Sequence, residues 1–278
     1  MKHTTLSTID TPAIADAFNA VYEDYVMPVN ISPEQVQHHI DNNDIALEHS
    51  PLWLDDDGSL IGMAMLGVRG DRGWVGGFGI TKPYRGRGLS HQLIQDVLQR
   101  GKSIGLREIV LEVITTNTAA IRTYEKAGFI HHRDLLILVR RSDATSLDVN
   151  TSAARPADPK LLLTNRPQAP EPPSWQHAAP SLVHDDKLIG LAVGPIDAPL
   201  AMAVYLSPDL ASVRIADLAA IDHDAAQTLL VALIQREAGK SISIVNEPEA
   251  SNALPALYDL GWNEVMRQHE MVFAVRDA

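Results

Sequence analysis

The chain contains no cysteine. That excludes disulfides, thiolate metal sites and a cysteine nucleophile, and it fits a reducing compartment. No apolar run approaches the length that crosses a bilayer, and the opening Met-Lys-His-Thr-Thr has no apolar signal core. A soluble, cytoplasmic protein is therefore expected. Positive charge is scarce as well: 23 Lys and Arg stand against 35 Asp and Glu, a formal net charge of −12. The acidic excess runs through both halves. Such a surface repels nucleic acid and anionic membranes, so neither is expected as a partner. A cationic or neutral small molecule suits it better. Any anionic cofactor must find a local positive patch.

Arg85-Gly86-Arg87-Gly88-Leu89-Ser90 supplies one. Before it, Trp74–Thr81 alternates bulky residues with Gly76, Gly77 and Gly79; after it, Leu89, Leu93, Ile94, Val97 and Leu98 recur at helical spacing. A strand, a glycine turn and a helix follow in order. A helix that begins just after glycines offers backbone N–H groups without intrahelical partners and the positive end of its dipole. Two arginines beside those donors make a cradle for a pyrophosphate. Gly86-x-Gly88 also fits the start of a dinucleotide-binding turn, but that fingerprint wants a third small residue where His91 stands. The plainer alternative is a strand-to-helix turn that uses glycine for its backbone angles, with solvated arginines.

With 278 residues the chain exceeds one typical domain and accommodates two. Thr11-Pro12 and Ser32-Pro33 each read as a capping hydroxyl followed by proline at the first helical position, predicting helices over 12–27 and 33–42. Strands are predicted over 45–54, 60–68 and 73–81, joined by acidic-glycine turns. A helix over 88–104, a strand over 107–114, a helix over 118–127 and a strand over 129–140 come next. Residues 142–180 turn to Ser, Thr, Ala and Pro and read as a linker with an extended approach to a second domain. Strands over 187–193, 200–206 and 213–220, a helix over 224–238, a strand over 241–245, a helix over 252–260 and a strand over 264–275 repeat the order of the first half. The expected division is 1–143 and 144–278.

Directly after the strand ending at Ile114 comes Asn117-Thr-Ala-Ala120-Ile-Arg-Thr-Tyr124-Glu125-Lys126-Ala-Gly128-Phe129. Together with the glycine turn, this resembles the GNAT superfamily of acyl-CoA-dependent N-acyltransferases. The family's second motif, Asn-x-x-Ala-x-x-x-Tyr-Glu-Lys-x-Gly-Phe, is matched at every named position. Its first, Arg/Gln-x-x-Gly-x-Gly/Ala, is matched at Arg85 and Gly88, with the compact Ser90 where Gly or Ala is usual. The resemblance covers residues 1–141. It implies an α/β fold of two GNAT-like mixed-sheet domains in tandem, the second degenerate, as in mycothiol synthases. It also implies acetyl transfer from acetyl-CoA directly to a primary amine of a small molecule, through a tetrahedral intermediate.

By that resemblance, backbone groups of Arg85, Gly86, Arg87, Gly88, Leu89 and Ser90 hold the diphosphate. Main-chain groups of Phe78 and Ile80 pair with the pantetheine arm, and a bulge near Ile80 aims an N–H at the thioester oxygen. Glycine inside a strand often marks a close approach by ligand, which would account for Gly76, Gly77 and Gly79; a strand packed under a helix is the alternative. Asn117 bonds the arm or caps its helix, and Ala120 is small where the arm crosses. Tyr124 is the general acid toward the departing thiolate. No acid stands on strand 74–81, so the base is sought in Glu112, acting through a water or else a paired structural carboxylate. Glu23, Asp24 and Tyr25 are expected at the acceptor pocket. Trp74 lines that pocket or belongs to the core. His38-His39 and His131-His132 lack metal-ligand spacing and read as surface or strand-end residues, and no metal is expected.

The second half lacks this chemistry. Ile221-Asp-His-Asp224 replaces the glycine turn, and Tyr258 lies three residues before Gly261 rather than four. An unrelated α/β domain is the alternative there. A non-catalytic acyl-CoA-binding regulatory module is the competing reading of the whole, with a dinucleotide-binding oxidoreductase third. The acceptor amine, the acyl chain and the oligomeric state stay open.

Overall fold

The computed structural model describes residues 1–24, 29–143 and 153–275. They form two compact units, and the units do not divide the chain at the linker. One comprises residues 1–132 and 269–278, the other 133–268.

The first unit runs β1 (Lys2–Thr5), α1 (Thr11–Val21), α2 (Pro33–Asn42), β2 (Pro51–Leu54), β3 (Leu60–Arg69), β4 (Arg72–Ile80), α3 (Leu89–Ser103), β5 (Glu108–Ile114) and α4 (Thr118–Ala127). β1 to β4 pair in sequence as an antiparallel meander, and β5 joins β4 in parallel. The neighbour of β5 on its far side is the last strand of the chain. The starts of α1 and α2 obey side-chain capping. The Asp10 carboxylate accepts from Ala13 N–H at 3.0 Å, and Ser32 and Gln35 make a reciprocal capping box. Asp10, not Thr11, is thus the cap of α1, and the regular helix stops at Val21; residues 25–27 of the expected span lie outside the described residues. The expected strand over 45–54 is interrupted by a short turn at Leu47–His49. There the buried Ser50 hydroxyl takes over ladder hydrogen bonds, accepting from Leu66 N–H and donating to Ala46 carbonyl.

The second unit takes residues from Arg133 onward of β6 (Ile130–Arg140), then β7 (Ala154–Ala157), α5 (Pro159–Thr164), α6 (Ala179–Leu182), β8 (Ile189–Val193), β9 (Ala201–Leu206), β10 (Ser212–Ala220), α7 (His223–Arg236), β11 (Ser241–Pro248), α8 (Leu254–Asp259) and β12 (Asn263–Ala274) as far as Gln268. Its ladder repeats the first: β7 to β10 antiparallel in sequence, β10 and β11 parallel, β11 antiparallel to β6. The chain is therefore two mixed-sheet domains of one topology. β7 and α5 lie inside the stretch expected as linker; Asp158 caps α5 and Pro159 opens it. Part of the expected linker, 144–152, lies outside the described residues.

Each unit is completed by a strand remote from it in sequence. β6 comes after α4 in the chain yet pairs with β11, while residues 269–274 of β12 belong with the first unit. Met271 is 2 % exposed in that unit's core, among Ile94, Val97, Leu111, Val113 and Phe129.

In the second unit, β10 and β11 are paired only from Ser212/Ser241 to Ile215/Ile244 and then part. Each carries a register irregularity just before a buried carboxylate, Asp217 on β10 and Glu247 on β11. Arg166 forks onto Asp217 at 2.9 and 3.2 Å. Burial pushes the Glu247 carboxyl from 4.5 up to about 8.

Two outcomes are expected. A chain ending at Gln268 should lose the first unit's cooperative unfolding step, since it removes a buried methionine worth about 2–5 kcal/mol along with a whole strand; an unaltered melt would contradict the assignment. For Glu247, the folded state keeps a proton that the unfolded chain releases above its ordinary value. Stability should therefore fall as pH rises from 4.5 toward about 8, by on the order of a few kcal/mol. Denaturant unfolding at pH 5 and pH 8 should show that slope, and Glu247→Gln should flatten it.

Candidate active site

β4 keeps its ladder with β5 for three residues, Arg72 to Trp74 opposite Glu108 to Val110. From Val75 onward that pairing stops, although β4 continues to Ile80 and β5 to Ile114. On its other edge β4 stays paired with β3 through to Ile80, with one extra residue, Gly76, between the pairs Leu66–Val75 and Met65–Gly77. Such a bulge bends the strand and raises its twist. Thr81 N–H bonds to Ile61 carbonyl at 2.9 Å on the β3 side. Successive residues of a strand alternate edges, so Gly79 shares that direction while Phe78 and Ile80 turn their N–H groups toward the edge that β5 has left.

The glycines of β4 have a different reason from close ligand approach. A Cβ on Gly77 would lie 2.8 Å from the Phe18 ring, one on Gly79 2.8 Å from Val21, and one on Gly76 2.2 Å from the Trp74 ring. They make room for α1 and for an indole, which is the packed-strand alternative.

At the end of β4 the chain turns through Arg85–Gly88 into α3. Gly86 and Gly88 both have φ near +75°, and a Cβ on either would meet nothing within 4 Å. Glycine is needed here for its backbone angle, over open space. Gly88 is the N-cap of α3 and no side chain caps that helix, so the N–H groups of its first turn, Leu89 and Ser90 included, keep their donors for another partner. Arg85 points back into the protein. Its guanidinium donates to the carbonyls of Ile80 (2.9 Å), Val21 (3.2 Å) and Glu23 (2.8 Å), clamping the C-terminal end of α1 to the end of β4. Arg87 donates to Pro83 carbonyl and lies 5.3 Å over the Tyr84 ring.

On the opposite side of the parting, Asn117 accepts from Ala120 N–H at 3.2 Å and so caps α4. Of its two expected roles, capping is the one the geometry displays. Ala120 packs half-buried against the core, and Tyr124 is 7 % exposed. The Tyr124 ring meets Phe78 edge-on at 5.7 Å and Phe129 at 5.8 Å. The structure thus gathers Phe78, Ile80, Gly86, Gly88, Leu89, Ser90, Ala120 and Tyr124 on elements flanking one parting between strands.

Other expected residues have separate employment. Trp74 is buried and its indole N–H donates to Glu112 at 2.7 Å, which ties that carboxylate to the core. Glu23 lends its carbonyl to Arg85. Asp24 adopts φ 61° and pairs with Lys82 at 2.7 Å, and the Lys82 hydrogen bond holds its carboxyl below the usual range. Tyr25 lies outside the described residues.

Two side chains at this place are not among those expected from the sequence. Tyr22 receives Phe78 N–H on its hydroxyl at a long 3.4 Å. His39, expected at the surface, is half-buried, its Nε2 3.0 Å from Gly76 carbonyl, and burial lowers its affinity for a proton. Their spacing carried the signal: Tyr22 comes one turn after Phe18, and His39 falls three residues after the buried Val36. His38, His131 and His132 are exposed, as expected.

The corresponding turn of the second unit differs chemically. The Asp222 carboxylate accepts from Ala225 N–H at 2.9 Å as the N-cap of α7, and Asp224 sits in the first turn. A negative group already holds the place that an anion would take.

Known proteins resemble this chain in sequence and in fold. The acetyltransferase (GNAT) family matches residues 14–129. N-alpha-acetyltransferase 30 of Schizosaccharomyces pombe is 41 % identical over 64 residues, 23 % of this chain and only 43 % of that protein. A probable spermine N(1)-acetyltransferase of Bacillus subtilis subsp. natto is 26 % identical over 144 residues, 46 % of this chain and 91 % of that one. Among solved structures, a GCN5-related N-acetyltransferase from Sphaerobacter thermophilus superposes with TM-score 0.72 at 16 % identity, covering 100 % of this chain and 96 % of its own. A tandem GNAT protein from the clavulanic acid biosynthesis pathway does so with TM-score 0.66 at 10 % identity, covering 100 % and 99 %. Among the described residues no helix is long and apolar enough to cross a membrane. Residues 14–129 thus match the acetyltransferase (GNAT) family, and the fold is shared over the whole length with solved GNAT structures, a tandem one among them.

Proposed function

We propose that this protein transfers an acetyl group from acetyl-CoA directly to a primary amine of a small molecule, using the first unit. The observation that carries the reading is the parting of β4 from β5, with an uncapped helix N-terminus at one end and the Tyr124 ring against Phe78. The residues present fit coenzyme A. Gly86 and Gly88 open the turn to space, and the first turn of α3 offers N–H donors and a positive dipole end to a diphosphate. Phe78 and Ile80 N–H face the vacated edge; the 3.4 Å bond from Phe78 to Tyr22 is long enough for a better acceptor to replace. When bound, acetyl-CoA supplies an activated thioester carbonyl.

This chain's own groups then have three tasks. The α3 N-terminus and Arg87 hold negative charge, in a molecule whose net charge of −12 draws cationic amines. Backbone N–H groups after the bulge stabilise negative charge on the reacting carbonyl oxygen, and donors already in place cost no reorganisation at the moment of reaction. Tyr124 delivers its phenolic proton to the leaving sulfur, a contribution of about 10²–10⁴-fold. The amine must shed a proton, and Glu112 is the nearest acid on these strands by sequence, but it serves Trp74. That engagement favours one other reading, a non-catalytic acyl-CoA-binding regulatory module.

Coenzyme A release with a panel of amines separates the two. The panel should include spermine and spermidine, because a Bacillus relative is a probable spermine acetyltransferase. No release with any amine, alongside retained acetyl-CoA binding, would favour the module. Tyr124→Phe should lower kcat by about 10²-fold or more and leave acetyl-CoA affinity within a few-fold; unchanged turnover would remove Tyr124 as the acid. The two arginines should part company. Arg87→Gln should weaken acetyl-CoA binding by about tenfold with an unaltered melt. Arg85→Gln should lower the melting temperature as well, because it releases three backbone carbonyls.

A further inference from the structure

His39 takes no part in the proposed reaction, yet it touches the residue on which that site's geometry turns. Gly76 is the extra residue of the β4 bulge: β3 pairs with Val75 and with Gly77, and the β5 ladder ends at Trp74. Neither ladder gives Gly76 a partner. The carbonyl of this half-buried residue, left out of a ladder, calls for another donor, and His39 Nε2 lies 3.0 Å from the Gly76 oxygen. A carbonyl oxygen only accepts, so Nε2 carries the hydrogen and Nδ1 the lone pair. Nδ1 faces the Asn43 amide at 3.4 Å, and that amide also donates to His39 carbonyl at 3.0 Å. Aromatic neighbours restrain the ring from two elements, Phe18 of α1 edge-on at 6.2 Å and Trp74 of β4 at 5.7 Å. Burial favours the neutral ring, the state this bonding uses.

The consequence lies two residues downstream. One extra residue in a strand reverses the edge to which every later N–H points. With the bulge, Phe78 and Ile80 offer N–H groups to the edge that β5 has left; without it, Gly77 and Gly79 would. We infer that His39 is a positioning residue for acetyl transfer: its Nε2–H bond to Gly76 carbonyl fixes the bulge that aims the Phe78 and Ile80 amides into the site. The inference rests on the proposed function for what those amides do, and on the ladder alone for where they point.

The experiment compares three variants. Glutamine places an amide nitrogen where imidazole has Nε2, so His39→Gln should keep the bond; His39→Leu and the shorter His39→Asn should lose it. Expected for Leu and Asn is a fall in kcat of about tenfold or more, with KM for the amine within about threefold, as a role exerted through the β4 amides requires. Gln should restore kcat to within about threefold of the native protein. Native kcat in both Leu and Asn, or equal loss in all three variants, would overturn the inference; if Leu does not fold, the Asn–Gln pair decides it. Amide hydrogen exchange at Phe78 and Ile80 gives a readout without turnover. It should quicken or shift in Asn and return with Gln, and no change there would also overturn the inference. If the native protein releases no coenzyme A with any amine, the proposed function fails, and the exchange data still decide the bulge.

Discussion

A strand cannot hold two neighbours on one edge, and β4 ends its ladder with β5 at Trp74. The chemistry proposed for the first unit depends on that ending. It leaves main-chain donors on a strand in the middle of a sheet, where they would ordinarily be consumed, and main-chain donors accept many ligand shapes at fixed geometry. Keeping the parting open needs support from both faces. On one, Phe18 and Val21 of α1 press into the space above Gly77 and Gly79. On the other, Phe78 and Tyr124 meet edge-on. Arg85 closes the frame by binding three carbonyls at the joint of α1 and β4. Its charge is therefore spent on the architecture of the turn, and the proposed anion site beside it depends on backbone N–H and the helix dipole.

The second unit applies the same constraint to opposite effect. β10 and β11 also part after four pairs, and both strands are irregular there. Where the first unit leaves donors for a ligand, the second sets its own carboxyl groups beside its parting, Asp217 gripped by Arg166 and Glu247 kept protonated by burial. Its helix N-terminus is likewise closed by Asp222. One topology thus carries two chemistries, and the difference lies in a handful of side chains at equivalent places, consistent with function residing in sites rather than folds.

Local signals in the sequence were strong where one residue type has one physical use. Gly88 before an amphipathic run marks the start of α3, and Gly128 after Tyr124 marks the end of α4, because each needs a left-handed backbone angle. The order of elements came with them, and so did the repeat. Partners distant in sequence were not legible. β6 and β12 have similar apolar patterns, and nothing in either states which unit it will join; that choice is made by packing against elements over a hundred residues away. Side-chain substitutes for backbone ladders were equally hidden. Ser50 breaks an expected strand by bonding Leu66 and Ala46, and His39 hides in a polar doublet because its partner is a carbonyl, which leaves no mark on composition. The glycines of β4 were legible as close approach, but not as approach by Phe18, Val21 and Trp74.

The exchanged strand also bears on why a half without the family's motifs belongs in this chain. Phe273 lies near the C-terminus, and its ring packs against Phe129 at 5.6 Å, with Gly128 leaving room for it at 3.1 Å. Phe129 in turn meets Tyr124, and Tyr124 meets Phe78. An aromatic row therefore runs from the last strand, through the end of α4, to the free edge of β4, all within the first unit. Rings in contact restrict one another's rotation, so the orientation of the Tyr124 phenol depends on residues translated after the entire second unit. A chain cut at the linker would keep every motif residue and lose the strand that steadies them. The chemistry proposed for the first unit then calls on residues that follow the whole second unit in the chain.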